Sequence, residues 1–162
     1  MTFSLRRPAA RVVLLDREGR IFLISAEDPI DPYKPDWLEI PGGGMGWNED
    51  SGAAALRELG EETSIPADAV EILAETRDWI PYDLPHDLVP RLWKGRFRGQ
   101  KQKWFLMRFS GDDALINIET DDPEFSHWAW METAVLIDKI VPFKRDTYTR
   151  VFDEFAKVLA DA

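Results

Sequence analysis

Two short apolar runs near the N-terminus, "RVVLL" at 11–15 and "RIFLIS" at 20–25, are separated by the polar "DREG". Runs of that length around a charged, glycine-bearing turn predict a β-hairpin. "EDPIDPYKPD" at 27–36 carries three prolines and reads as a loop, since proline offers no N–H to a ladder. "WLEI" at 37–40 is a short strand that runs into the glycines of "PGGGMG". The period then changes. Ala54, Ala55, Leu56 and Leu59 give an inner face to a helix that starts near Asp50 or Ser51, both N-cap residues, and ends near Thr63. "AVEILAET" (69–76) and "QKWFLMRF" (102–109) read as strands with a proline-punctuated loop between them. "FSHWAWM" (125–131) alternates like a strand. From Lys144 to Ala160, Tyr148, Val151, Phe152, Phe155, Val158 and Leu159 recur at helical spacing. Strands with helices interspersed predict a mixed-sheet α/β architecture, one domain over residues 1–162.

Composition changes this picture little. Hydrophobic residues make up 44% and charged residues 31%, which fits neither the disordered nor the membrane-embedded class. There is no cysteine, so disulfides and thiolate metal sites are excluded. The apolar run in "MTFSLRRPAARVVLL" is too short for a secretory signal, and no stretch approaches the roughly 18 apolar residues that span a bilayer. The expectation is a cytoplasmic protein with no membrane partner. The surplus of aromatics serves a core or a subunit interface equally well, so the oligomeric state stays open.

Charge is more informative. A net charge of −10 argues against wrapping extended nucleic acid through a basic face. Yet "RLWKGRFRGQKQKWFLMR" at 91–108 holds seven basic residues and no acid, while acids crowd 48–62 and 111–124. An acidic centre beside a basic strip suggests cations held next to anions, such as metal ions and a phosphate ligand; a solvated charged loop is the plain alternative.

The densest acidic segment is "ALRELGEETSI" at 55–65. On a helix Glu58 and Glu62 share a face, Glu61 lies beside them, and Arg57 stands four residues before Glu61. Three converging carboxylates make a hard-oxygen site suited to magnesium or manganese. An exposed acidic helix face is the common alternative.

The spacing goes further: Gly43, five residues, Glu49, seven residues, Arg57-Glu58-Leu59, one residue, Glu61-Glu62, then Thr63-Ser64-Ile65. This resembles the box of the Nudix hydrolases, Gly-x5-Glu-x7-Arg-Glu-U-x-Glu-Glu-x-Gly-U, with U a bulky aliphatic residue. Every charged position is present. Ser64 stands where the family has glycine, at a helix end where left-handed geometry is expected and a serine costs about 1 kcal/mol. Asn48 replaces another common glycine and tolerates the same geometry.

The resemblance implies a Nudix-type α/β/α sandwich with a mixed β-sheet, and hydrolysis of a nucleoside diphosphate linked to another group. It implies Mg2+ or Mn2+ held by Glu58, Glu61 and Glu62, with the Gly42 carbonyl as a further donor. Arg57 and Glu49 are then orienting partners of the carboxylates.

"RDWIPYDLP", "RGQKQKWFLMRFSG", "PEFSHWAWM" and "VPFKRDTYTRVFDEFA" are similar to segments of the bacterial RNA pyrophosphohydrolases and of the dinucleoside polyphosphate hydrolases close to them. By that likeness Glu124 adds a catalytic or metal-binding carboxylate, and Phe143 stacks on a nucleobase. Val141, Lys144 and Gln100 contact the nucleotide, and Arg7 lies near a phosphate. Trp104, Trp128 and Trp130 are assigned to packing. The front half departs from that branch: it reads "WLEIPGGG" instead of Trp-Gln-x-Pro-Gln-Gly-Gly, and the usual arginines after the second strand are missing.

The expected activity is therefore metal-dependent hydrolysis of a pyrophosphate bond, in RNA 5′-triphosphate ends or dinucleoside polyphosphates. A nucleoside triphosphate, ADP-ribose or a sugar nucleotide is the alternative substrate. A silent nucleotide-binding module is the third reading, but such a module is expected to lose box carboxylates, and all three are present.

Overall fold

A computed structural model describes residues 5–26, 37–83, 97–120, 125, 127–140 and 142–161. They form eight strands: β1 (Leu5–Leu15), β2 (Ile21–Ala26), β3 (Trp37–Glu39), β4 (Gly42–Gly44), β5 (Val70–Glu75), β6 (Ile80–Asp83), β7 (Phe97–Phe109) and β8 (His127–Met131). The helices are α1 (Ser51–Thr63), α2 (Thr133–Lys139) and α3 (Pro142–Asp161). The sheet is mixed, with the order β3-β2-β1-β7-β5; β4 pairs with β1, β6 with β7 and β8 with β2. Its centre is the parallel pairing of β1 with β7, and the remaining pairs are antiparallel.

Period-two alternation sorts the central strands onto two faces. Ala10, Val12, Leu14, Phe22, Ile24, Phe105, Met107 and Phe109 pack with Ala54, Ala55 and Leu59 of α1. Val13, Leu15, Ile21, Leu23, Trp104 and Leu106 pack with Leu136 of α2 and with Tyr148, Val151, Phe152 and Phe155 of α3. One sheet buried between two helical layers is the expected α/β/α sandwich. Trp104 is buried in the second cluster, and Trp128 and Trp130 pack against the first, around Phe22.

The predicted hairpin exists, with its turn built by Asp16. That side chain accepts from the N–H groups of Glu18 and Arg20 and from Arg20 Nε, at 2.8–2.9 Å. The strands meet at Leu15–Ile21, however, and further along β1 the glycine strand β4 pairs with Ala9–Arg11. The sequence reading omits β4, β6 and α2. Three glycines present no side-chain pattern, β6 contains a proline, and seven residues are too few to show a helical period. The loop expected at 27–36 lies outside the described residues.

Helix α1 has the predicted bounds. The Asp50 carboxylate accepts from Ala53 N–H at 3.1 Å, and Ser64 closes the helix at φ 65°, ψ 6° with its N–H on the Gly60 carbonyl. The serine hydroxyl donates to the Asn117 carbonyl at 2.9 Å, which offsets part of the left-handed strain. Ser64→Gly is expected to raise stability by about 0.5–1 kcal/mol and the melting temperature by roughly 2–3 °C, read in a thermal melt. No change or a fall means that the hydroxyl bond outweighs the backbone strain.

Candidate active site

The glycine strand β4 divides two sets of polar side chains. A Cβ on Gly43 would lie 2.7 Å from Glu58 Oε2, so only glycine lets the backbone pass this close to the α1 carboxylate. A Cβ on Gly44 would collide instead with the Arg7 guanidinium. The Glu58 carboxylate therefore lies on the α1 face of β4 and the Arg7 guanidinium on the other.

On the α1 face one guanidinium organises everything. Arg57 Nε and Nη2 donate to the two oxygens of Glu49 at 2.8 and 2.9 Å, a bidentate pair. Nη2 also donates to the Gly44 carbonyl at 3.0 Å. Nη1 reaches Glu58 at 3.0 Å and Glu61 at 3.1–3.2 Å. Glu49 in turn accepts the Gly46 N–H at 2.7 Å. Loop, strand and helix are thus tied to one side chain. Hydrogen bonds from Arg57 and then Gly46 hold Glu49 down to about 2. Arg57 is raised, first by Glu49.

Glu58 behaves oppositely. Burial pushes its carboxyl above the usual range, Arg57 opposes this, and the charge of Glu61 adds to it. Glu62 is buried at 6% exposure, and both its oxygens take the Gly42 N–H, at 3.1 and 3.4 Å. The Gly42 carbonyl lies 3.5 Å from Arg11 Nη1. Glu58 is thus a half-buried carboxylate beside like charge, with Arg57 and the Arg11 charge opposing its burial. Hard carboxylate oxygens fit magnesium or manganese. The three glutamates are not gathered around one point: among the described residues no group of three acidic or histidine side chains is close enough to share an ion.

On the opposite face, Arg7 and Gln100 stand side by side in the β1–β7 register. Gln100 is buried; its Oε1 accepts from Gln102 Nε2 at 2.6 Å, and Gln102 Oε1 accepts the Trp104 indole N–H at 2.9 Å. Lys144 is also buried, with its ammonium on Glu39 at 2.9 Å. Phe143 is in the first turn of α3, with its side chain outside the described residues, as are Glu124 and Val141 entirely. Of the basic strip, Lys103 donates to the carbonyls of Thr76 and Arg77, and Arg108 to that of Asp16, so both hold backbone in place.

Sequence reasoning missed Arg11 and Glu39. Arg11 Nη1 lies 3.4 Å from the Ile40 carbonyl, on the α3 face, and its charge acts on Glu39, Glu58 and Tyr148. Counting in twos from Arg7 along β1 finds it. Burial pushes Glu39 up, but Lys144 and Arg11 pull it below the ordinary carboxylate range. A depressed carboxylate contributes stability above its unfolded pKa and loses it as pH falls through its folded pKa. Glu39→Gln is therefore expected to destabilise by about 2 kcal/mol near neutral pH, with the difference from wild type shrinking in acid. Urea melts across pH 3–8 measure it, and a pH-independent difference refutes the pairing.

Comparison with known proteins gives the family. A family model described as NUDIX domain matches residues 5–151. The chain is 53% identical over 149 residues to a Roseobacter denitrificans protein named RNA pyrophosphohydrolase, covering 92% of this chain and 91% of that one. It is 54% identical over 150 residues to a Dinoroseobacter shibae protein of the same name, at 93% and 91% coverage. Among solved structures, a C. elegans Ap4A hydrolase binary complex superposes with a TM-score of 0.61 at 21% identity, over 92% of this chain and 98% of that one. The E. coli dihydroneopterin triphosphate pyrophosphohydrolase superposes with a TM-score of 0.67 at 18% identity, over 91% and 96%. At these identities the two structures speak to the fold alone.

Proposed function

The chain belongs to the Nudix hydrolases, enzymes that cleave pyrophosphate bonds in nucleotide substrates, and from this premise we propose that its substrate is the 5′-triphosphate end of RNA. The carrying observation is identity above 50% along more than nine-tenths of the chain to proteins named for that activity. Two further points support it: each charged box residue is present, and Arg57 binds Glu49, Glu58 and Glu61 together. The same reading makes residues 1–162 one catalytic domain and places it in the cytoplasm.

In this reading Glu58, Glu61 and Glu62, with the Gly42 carbonyl and Glu124, would hold magnesium or manganese once an ion draws the carboxylates together. The chemistry such an ion would supply there is charge neutralisation for a pyrophosphate and a more acidic water. The protein's own groups do the rest. Arg57 holds the Glu58 and Glu61 carboxylates in place before substrate arrives, and the bare backbone of Gly43 lets the glycine strand lie directly against Glu58. Arg7 and Gln100 face the nucleotide across the strand, and Val141, Phe143 and Lys144 border its base.

One observation favours a second reading, in which the substrate is a free nucleotide. The front half reads "WLEIPGGG" where the RNA-cleaving branch has Trp-Gln-x-Pro-Gln-Gly-Gly, and the arginines usual there after the second strand are missing. A substrate panel with magnesium decides between them: triphosphorylated RNA, diadenosine polyphosphates, ADP-ribose and nucleoside triphosphates. Release of phosphate or pyrophosphate from RNA at the highest kcat/KM is expected. Turnover of ADP-ribose with none from RNA overturns the proposal.

A further inference from the structure

Trp47 is 96% exposed, far more than any other large apolar residue among those described. Burying an indole is among the most favourable transfers a chain can make, so one held in water beside a catalytic site asks for a ligand. Its place is not accidental to the fold. The Gly46 carbonyl accepts the Glu49 N–H at 3.2 Å, and Asn48 turns the backbone at φ 58°, which puts Trp47 at the tip of a tight turn. The Gly46 N–H and the Glu49 carboxylate close that turn, and Glu49 is gripped by Arg57. The same guanidinium orders Glu58 and Glu61, so the backbone beneath the ring is referenced to the carboxylates.

The surroundings narrow the occupant. The other exposed large apolar residues, Ile72, Trp79, Leu115 and Val135, lie on other segments. Within two residues of Trp47 stand Met45, Gly46, Asn48 and Glu49; Met45 alone is apolar, and it packs against the core beneath α1. A protein interface needs a contiguous apolar patch, whereas one exposed ring matches one flat ligand. Glu49 and Asp50 repel phosphate, which leaves the base as the part of a nucleotide that fits here.

We propose that Trp47 is a stacking platform for a nucleobase of the substrate, a specificity element of this chain beyond its box carboxylates. The inference rests on the nucleotide-hydrolase reading: the polyphosphate lies along the glycine strand, and a base of the RNA 5′ segment rests on the indole. Stacking of this kind tolerates any base, since each has a π-face, and it acts on substrate affinity instead of the chemical step.

Trp47→Ala, Trp47→Phe and Trp47→Leu are compared on a short triphosphorylated RNA, and on the same RNA made abasic at its first two positions. With the side chain solvated, all three variants fold, which circular dichroism checks. Trp47→Ala is expected to raise KM about ten-fold with kcat within roughly two-fold, Trp47→Phe to recover most of the loss, and Trp47→Leu little of it. On abasic RNA the variants match wild type. Unchanged KM in Trp47→Ala, equal rescue by leucine and phenylalanine, or the same loss on abasic RNA overturns the proposal. Failure of the substrate reading shows separately, as wild-type inactivity on RNA, and the same variants are then compared on the nucleotide that is turned over.

Discussion

Glu62→Gln is expected to lower kcat by about three orders of magnitude while unfolding free energy moves by less than about 1 kcal/mol. The two halves of this expectation have different origins. Glutamine has the shape of glutamate, and its Oε1 can still accept the Gly42 N–H, the contact that both Glu62 oxygens share at 3.1 and 3.4 Å. The buried volume is unchanged, so α1 and β4 keep their relation. What disappears is the negative charge, and a neutral amide is a poor ligand for a hard divalent ion. Steady-state rates with saturating magnesium and a thermal melt of the same preparation measure both halves. Activity within ten-fold of wild type removes Glu62 from the metal set. A large loss of stability instead makes it a structural acceptor for the glycine strand.

The second large effect is at Arg57. Arg57→Gln is expected to reduce kcat by a factor on the order of 10², with a stability loss of about 1 kcal/mol because the side chain is partly exposed. Without the guanidinium, Glu49 leaves the loop untied from the helix, and Glu58 and Glu61 lose the positive charge they share. The rate then requires a higher magnesium concentration for half-saturation. Arg57→Lys is expected to stay near the glutamine variant. An ammonium cannot donate in parallel to both Glu49 oxygens while reaching Gly44, Glu58 and Glu61. Full rescue by lysine reduces the role of Arg57 to simple charge.

Residues that carry a local pattern were legible in the sequence. Asp50 and Ser64 mark the ends of α1, and the spacing of Gly43, Glu49, Arg57, Glu58, Glu61 and Glu62 identified the family before any coordinates. The left-handed geometry at Ser64 and Asn48 followed from the glycine positions they fill. Arg11 and Glu39 escaped notice because each becomes significant only beside a residue far away in the chain, Arg11 beside the Ile40 carbonyl and Glu39 beside Lys144. The strand Gly42–Gly44 escaped for the opposite reason: it has no side chains to form a pattern, and its partner supplies all of its definition.

The sequence by itself determined the helix that bears the carboxylates, the order of charged residues on it and the family to which it belongs. These depend on neighbours within one or two helical turns, where periodicity and capping act. Only the tertiary structure decided that β4 lies between the Glu58 carboxylate and the Arg7 guanidinium, that Glu58 is pushed up while Glu49 is held near 2, and that Trp47 remains in water. Burial and charge coupling depend on which distant segments arrive at the same place, and a local pattern does not contain that.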